Sequence, residues 1–263
     1  MKLKEQNSSA QLSLKSFSNQ FLAEMFGVDG RLLKTLKALL FHPGKLTKIY
    51  INEKSTAYLS PISLYFMINF VFFLLLPLVN TKNVKFLSFS YSSFTHTDGY
   101  FKKKLESDLS KSNMPEEVYK ALFNTHLAYN QPALIFIIIP FFALLLKLVE
   151  IRRKRFYVEH LVFAFHFMSF FLILFLLTAA ASSFIFRIPE TVTMHIPVFK
   201  IFQYIFYLFM FLFGIYLFQA IRIYYQHSVF SSIWKTTILS LGFIGIFVGY
   251  ISFLFFHTLY KLG

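Results

Sequence analysis

The chain has 263 residues, of which 56% are hydrophobic and 14% charged, and its formal net charge is +14. A typical soluble domain is about 25% charged, and here the apolar residues form several runs of about 18 or more, long enough to cross a bilayer as helices. These runs exclude an ordinary soluble protein, and the absence of cysteine excludes disulfides, cysteine-ligated zinc, iron–sulfur clusters and a thiol nucleophile.

Residues 1–60 are predicted to form a basic cytoplasmic segment with amphipathic helices. Apolar residues at helical spacing predict a first helix, at Leu14, Phe17, Phe21, Leu22 and Met25. A second helix is predicted after Asp29, which can cap its start, and before the break at His42-Pro43-Gly44. Leucines lie on one side of this helix and basic residues on the other, at Arg31, Lys34 and Lys37. Such a helix beside a span usually lies in the headgroup plane, and the alternative is a docking site for a partner protein.

Residues 61–263 are predicted to form a transmembrane domain, a polytopic all-α membrane helix bundle. Its five spans are predicted at Ile62–Val79, Pro132–Val149, Val158–Phe184, Val198–Ala220 and Thr236–Thr258. The first two spans are joined by a long, polar and lysine-rich loop, residues 80–131. Within this loop a short helix is predicted from Pro115 through Leu127, because its first turn carries two acidic residues.

The short loops set the predicted orientation, because basic residues are retained on the cytoplasmic side. The loop between spans two and three is the most basic, and its side chains are expected to face lipid headgroups, at Arg152, Arg153, Lys154 and Arg155. Lys235 ends the loop between spans four and five. We therefore predict a cytoplasmic N-terminus, an extracytoplasmic C-terminus and an extracytoplasmic 80–131 loop. The same distribution assigns the positive charge to anionic membrane lipids and predicts no nucleic-acid partner.

Polar residues at the start of span three are the strongest candidates for a functional site. Glu159 and His166 are seven residues apart, so they share a helix face at about 10 Å along the axis, whereas His160 is rotated by about 100° from Glu159. With a contribution from another helix, this cluster could ligate a metal ion, relay a proton or bind a polar lipid headgroup. The structural alternative is an ion pair between Arg155 and Glu159, an interfacial His160, and a hydrogen bond from His166 to a neighbouring helix.

Asn69 lies at a similar depth in span one. If spans one and three touch, Asn69 and His166 could face each other, with Gln219 completing the polar rim. The alternative for Asn69 is a hydrogen bond that joins two helices.

A glycine face runs along span five, at Gly242, Gly245 and Gly249. It includes one G-x-x-x-G and predicts close helix packing, with a pore or a ligand groove as the alternative.

Several segments together resemble an uncharacterised bacterial membrane family, domain of unknown function 3667. The segments are Arg31 to Lys45, Tyr58-Leu-Ser-Pro61, Tyr157 to His166, and the loop from Arg222 to Lys235. In order and spacing the resemblance covers about Phe17 to the C-terminus, and it implies a bacterial inner-membrane location. Many members of the family look as if they begin with a cysteine-rich zinc ribbon, which this chain lacks. The resemblance identifies no catalytic residue.

These observations favour a non-enzymatic membrane protein, such as a small transporter, channel or envelope factor that handles a lipid or an apolar solute. It is expected to assemble with itself or with another membrane protein. The first alternative is an intramembrane enzyme that uses Glu159, His160 and His166 with a metal ion or as acid and base. The second is a sensor or assembly scaffold that acts through the basic N-terminal helices. The sequence requires no cofactor, although the Glu/His cluster could take a metal ion.

Overall fold

The computed structural model describes residues 30–53, 57–79, 90–95, 99–186 and 198–262. Over these residues the chain is all-α, without strands. Its helices are α1 (Arg31–Phe41), α2 (Lys45–Glu53), α3 (Pro61–Val79), α4 (Tyr91–Thr95), α5 (Tyr100–Ser112), α6 (Glu116–Leu134), a 3-10 turn (Ile135–Ile137), α7 (Ile138–Val149), α8 (Tyr157–Phe186), α9 (Val198–Tyr225) and α10 (Val229–Leu262). The helix predicted around residues 14–25, and its neighbour Asp29, lie outside the described residues.

Five helical segments are long and apolar enough to cross a membrane, which confirms the predicted helical bundle. They are Pro61–Val79, Glu116–Val149, Tyr157–Ile185, Lys200–Tyr225 and Val229–Leu262. Two predicted bounds were wrong. The short helix expected to end at Leu127 continues through Pro132 into the second span, and the fifth span begins at Val229, so that Lys235 lies within a helix.

Helix α8 is the centre of the bundle. In its most apolar stretch 61% of the residues are buried inside the protein, against 22–39% in the other four segments. It packs against α3, α7 and α9, while α10 packs against α6, α7 and α9. Aromatic rings fill these interfaces: Phe170 stacks on Tyr216 with centroids 3.4 Å apart, and Phe142 stacks on Phe167 at 4.9 Å. Any polar side chain on α8 therefore has to find a partner within the protein.

The first two helices form a hairpin that packs into the bundle. Helix α1 ends at Phe41, just before the predicted break at residues 42–44, and Gly44 turns the chain with a positive φ of 76°. A Cβ at Gly44 would collide with the backbone carbonyl of Ala220 on α9, so only glycine permits this approach. The Tyr216 hydroxyl donates a hydrogen bond of 2.9 Å to the carbonyl oxygen of Leu39. The hairpin is thus held to α9 at its turn and at the end of α1.

Helices α4 and α5 pack at the opposite end of the bundle, against α6 and α10. The side chains of Tyr91 and Phe94 are buried there, and the Phe94 ring lies 4.9 Å from that of Phe255. The part of the 80–131 segment that the structure describes is therefore a small helical layer with its own aromatic core.

Candidate functional site

Glu159 and His160 lie where α8 begins, at what we call the basic end of the bundle: the connection 150–156 between α7 and α8 and the turn 226–228 between α9 and α10. Lys147 closes the first connection with a hydrogen bond of 2.9 Å to the carbonyl oxygen of Arg155. Of the four predicted lipid-facing basic residues, Arg152, Arg153 and Lys154 are exposed, whereas Arg155 is half-buried.

Both carboxylate oxygens of Glu159 accept hydrogen bonds from neighbouring groups. Its Oε2 accepts hydrogen bonds from Arg155 Nη1 at 2.6 Å and from the Tyr224 hydroxyl at 3.2 Å, and its Oε1 accepts one from the Phe156 N–H at 3.1 Å. Burial alone would lower the pKa of Arg155, but the hydrogen bond to Glu159 and the nearby tyrosines raise that pKa above its ordinary value. The i,i+4 ion pair predicted as the structural alternative is confirmed, and Glu159 also caps the start of α8.

The two histidines of the cluster point to different partners. His160 Nδ1 lies 2.7 Å from the Tyr225 hydroxyl of α9, and His166 Nδ1 lies 2.8 Å from Thr47 Oγ1 of α2. Both rings are buried, and the Nε2 atom of each has no hydrogen-bond partner among the described residues. The hydrogen bond predicted for His166 therefore exists, but it reaches the N-terminal hairpin and not another span.

Glu159, His160 and His166 consequently do not converge on one point. Within residues 30–53, 57–79, 90–95, 99–186 and 198–262, no three His, Cys, Asp or Glu side chains are placed to hold a metal ion. Glu159 and His160 instead contact α9, through Tyr224 and Tyr225, whereas His166 contacts Thr47 of α2, so the cluster joins α2, α8 and α9.

A second charged group, which the sequence analysis did not select, is more deeply buried than the Arg155–Glu159 ion pair. Lys235 Nζ lies 2.7 Å from Glu150 Oε2, and His227 Nε2 lies 2.9 Å from Glu150 Oε1. The side chains of Glu150, His227 and Lys235 are only 0%, 6% and 10% exposed. We call these three residues the buried triad.

Two of the three contacts of His227 favour one tautomer. Arg153 Nη2, 3.3 Å from Nδ1, can only donate, and the Glu150 carboxylate beside Nε2 can only accept, so both favour a proton on Nε2; Lys235 Nζ, 2.9 Å from Nε2, favours the other tautomer. The Nε2–H then donates to Glu150, and Lys235 donates its own proton to the same carboxylate. The triad is thus a carboxylate that receives two donors, and it ties α7 to α10.

Two features of the sequence could have identified this triad. Glu150 is the sole acidic residue between Lys147 and Arg155, a segment with five basic residues. Lys235 stands one residue before the predicted start of the fifth span at Thr236, close enough to be drawn into that helix. A buried lysine requires a counter-charge, and the basic region around residues 147–159 offers two acidic residues, Glu150 and Glu159.

Asn69 does not face His166, which corrects the predicted rim. Its Nδ2 donates a hydrogen bond of 3.1 Å to the carbonyl oxygen of Pro132, and the Tyr250 hydroxyl lies 3.4 Å from the carbonyl of the adjacent Gln131. The backbone passes from α-helix to a 3-10 turn just beyond this proline, where these carbonyls take side-chain donors. Gln219 is exposed. Asn69 therefore joins two helices, as the structural alternative predicted.

The predicted glycine face has close packing at one position. A Cβ at Gly242 would collide with the Leu145 side chain of α7, whereas a Cβ at Gly245 or Gly249 would meet nothing within 4 Å. The G-x-x-x-G pair thus lies open, and its use in a homo-oligomer or with another membrane protein stays a prediction.

A deep apolar groove lies between α8, α9 and α10, with a volume of about 420 Å³. We call it the Phe groove; it is lined by Phe171, Phe175, Phe206, Phe209, Met210, Phe213, Gly214, Ser240, Phe243, Ile244 and Phe247. Several of its rim residues are strongly exposed, among them Phe206 and Met210 at 45% and 40%. The groove therefore opens on the outer surface of the spans.

Comparison with known proteins finds a family match in the first part of the chain. Residues 29–73 match a family model described as Protein of unknown function (DUF3667). The match confirms the resemblance over α1, α2 and most of α3, and it does not extend to the Tyr157–His166 segment. No curated protein and no solved structure matches the chain.

Proposed function

We propose that this membrane protein is non-enzymatic and binds a lipid or another apolar solute in the Phe groove. The observation that carries the proposal is the groove itself, which is about 420 Å³ in volume, almost wholly hydrocarbon in its lining and open to the outer surface of the spans. Its single side-chain polar group is the Ser240 hydroxyl.

The chemistry of the lining supports binding over catalysis. Phenylalanine rings offer large apolar faces and dispersion contacts but no acid, base or nucleophile. Gly214 adds room, because a Cβ at this position would meet nothing within 4 Å. An acyl chain or a flat apolar ring system suits such a surface, and small or charged solutes do not.

Photo-crosslinking of full-length protein in phosphatidylcholine nanodiscs tests this proposal. The probe is a phospholipid with a diazirine on one acyl chain, and the readout is the labelled fraction of α9 and α10 peptides by mass spectrometry. Gly214→Phe fills the groove and should reduce this labelling several-fold. Gly245→Phe is the matched control, because its Cβ also has open space and Gly245 lies outside the groove. Unchanged labelling in Gly214→Phe, or labelling spread evenly over all spans, refutes a specific site.

The proposed location is the bacterial inner membrane, with the basic end of the bundle in the cytoplasm. The positive charges of the 150–156 connection support this orientation. Because the chain has no cysteine, single cysteines report its sidedness cleanly. In intact spheroplasts an impermeant maleimide should label Tyr260→Cys, and it should label Lys154→Cys only after lysis. The reverse pattern overturns the orientation.

A further inference from the structure

The α1–α2 hairpin carries a small concave site that is separate from the Phe groove. It has a volume of about 150 Å³, and we call it the basic cup; it is lined by Lys34, Lys37, Ala38, His42, Lys45, Ile49 and Tyr58. Three of the lining residues are lysines, and none of the described lining residues is acidic. This segment also lies wholly within the part of the chain that matches the family model.

The wall of the cup around Tyr58 is fixed by hydrogen bonds. The N–H of Leu59 donates to Thr35 Oγ1 at 3.0 Å, and the same hydroxyl donates to the carbonyl of Arg31 at 2.6 Å. Thr35 is completely buried, so this link between α1 and the 57–60 segment is protected from water. The ammonium group of Lys34 lies 4.8 Å from the centre of the Tyr58 ring, which holds that lysine at the rim.

Helix α2, which supplies Lys45 and Ile49 to the cup, is fixed by the bundle. The Gly44 turn lies against the backbone of α9, and the Thr47 hydroxyl is bound to His166 on α8. The backbone that carries the lysines is therefore preorganised, and only the lysine side chains need to adjust to a ligand.

The electrostatics of the cup favour an anion. Like charges so close together repel each other, and among the described residues Lys37 and Lys45 form no ion pair that would offset this repulsion. A tetrahedral oxyanion can accept hydrogen bonds from several ammonium groups at once.

We propose that the basic cup binds a phosphate group, carried by an anionic lipid or by a free phosphate compound. An apolar groove of about 320 Å³ lies on the other side of α1 from the cup, between α3 and α8. Leu32, Leu36 and Leu40 of α1 line that groove. The cup and the Phe groove have no lining residue in common, so either site can fail its test without the other.

Titration calorimetry on detergent-purified full-length protein tests the cup. The probes are dihexanoyl phosphatidic acid, dihexanoyl phosphatidylcholine and inorganic phosphate. We expect saturable binding of phosphatidic acid that Lys37→Gln/Lys45→Gln weakens about tenfold or more, because two charge-assisted contacts are lost. The double variant Lys37→Arg/Lys45→Arg should retain binding, because it keeps both charges.

The control variant is Arg152→Gln/Lys154→Gln, which removes two exposed charges from the same end of the bundle. All the replaced lysines and arginines are exposed, so each variant should fold, and circular dichroism checks this. Binding of phosphatidic acid alone identifies a lipid headgroup, and equal binding of inorganic phosphate identifies a free phosphate source; both support the cup. Equal weakening by the control and the cup variant, or no saturable binding, overturns it.

Discussion

Replacing Glu150 by glutamine should destabilise the protein more than any other single loss of charge at the basic end. Glu150 accepts hydrogen bonds from Lys235 at 2.7 Å and from His227 at 2.9 Å, and its side chain is 0% exposed. In Glu150→Gln the Lys235 ammonium remains buried without a counter-charge. Among the described residues, the other polar atom in contact with this ammonium group is His227 Nε2, at 2.9 Å. That nitrogen could accept a proton from Lys235 only if the His227 proton moved to Nδ1, where it would oppose the Arg153 donor.

The expected loss follows from the burial of the pair. Removal of one partner from a buried ion pair costs about 3–5 kcal/mol, chiefly because the other charge stays buried and unpaired. The double variant Glu150→Gln/Lys235→Met removes both charges and should recover part of that loss. A double-mutant cycle over these two positions should therefore show strong coupling.

The assay is reversible unfolding in mixed micelles, followed by circular dichroism as the SDS fraction rises. Glu116→Gln is the matched control, because Glu116 pairs with Lys120 at the similar distance of 2.8 Å but both side chains are well exposed, at 58% and 43%. Exposed ion pairs contribute little, so this control should leave the unfolding midpoint almost unchanged. If Glu150→Gln shifts the midpoint no more than Glu116→Gln does, the argument from burial is wrong.

Two further variants test how the N-terminal hairpin is held. Gly44→Ala should lower the free energy of unfolding by more than about 1–2 kcal/mol, because it adds a collision with α9 to the backbone strain of a positive φ. Gly30 is also at positive φ but has open space around it, so Gly30→Ala should lower the free energy of unfolding by the backbone strain alone. Equal losses in the two variants would contradict the close approach of Gly44 to α9. Thr47→Val should cost about 1 kcal/mol, since it leaves both ring nitrogens of His166 unpaired, whereas Thr47→Ser keeps the hydroxyl and should restore stability in the same unfolding assay.

Features governed by neighbouring residues could be predicted from the sequence. The Arg155–Glu159 pair is four residues apart, so helix geometry alone brings its two charges together. The break at His42-Pro43-Gly44 is likewise local, because glycine and proline limit the backbone directly. The continuation of α6 through Pro132 could not be predicted, because it depends on tertiary contacts: side chains from other helices donate hydrogen bonds to the carbonyls at this point, as Asn69 of α3 does to Pro132.

The partners of the buried polar groups could not be predicted in the same way. Glu150 and Lys235 are 85 residues apart, and Thr47 and His166 are 119 apart. Apolar periodicity shows that a helix is buried but not how it is rotated against its neighbours, and α8 is apolar around most of its circumference. His166 could therefore be assigned a hydrogen bond but not the helix that supplies it.

The sequence by itself determined the class of this protein: its apolar runs are long enough for five spans, and its basic residues flank them. Those properties depend only on composition and length along the chain. The tertiary structure decided which charges are paired, which glycine packs closely, and where the Phe groove and the basic cup lie. Each of these depends on the packing of helices that are distant in sequence, because a buried polar group or a cavity is defined by all the elements around it.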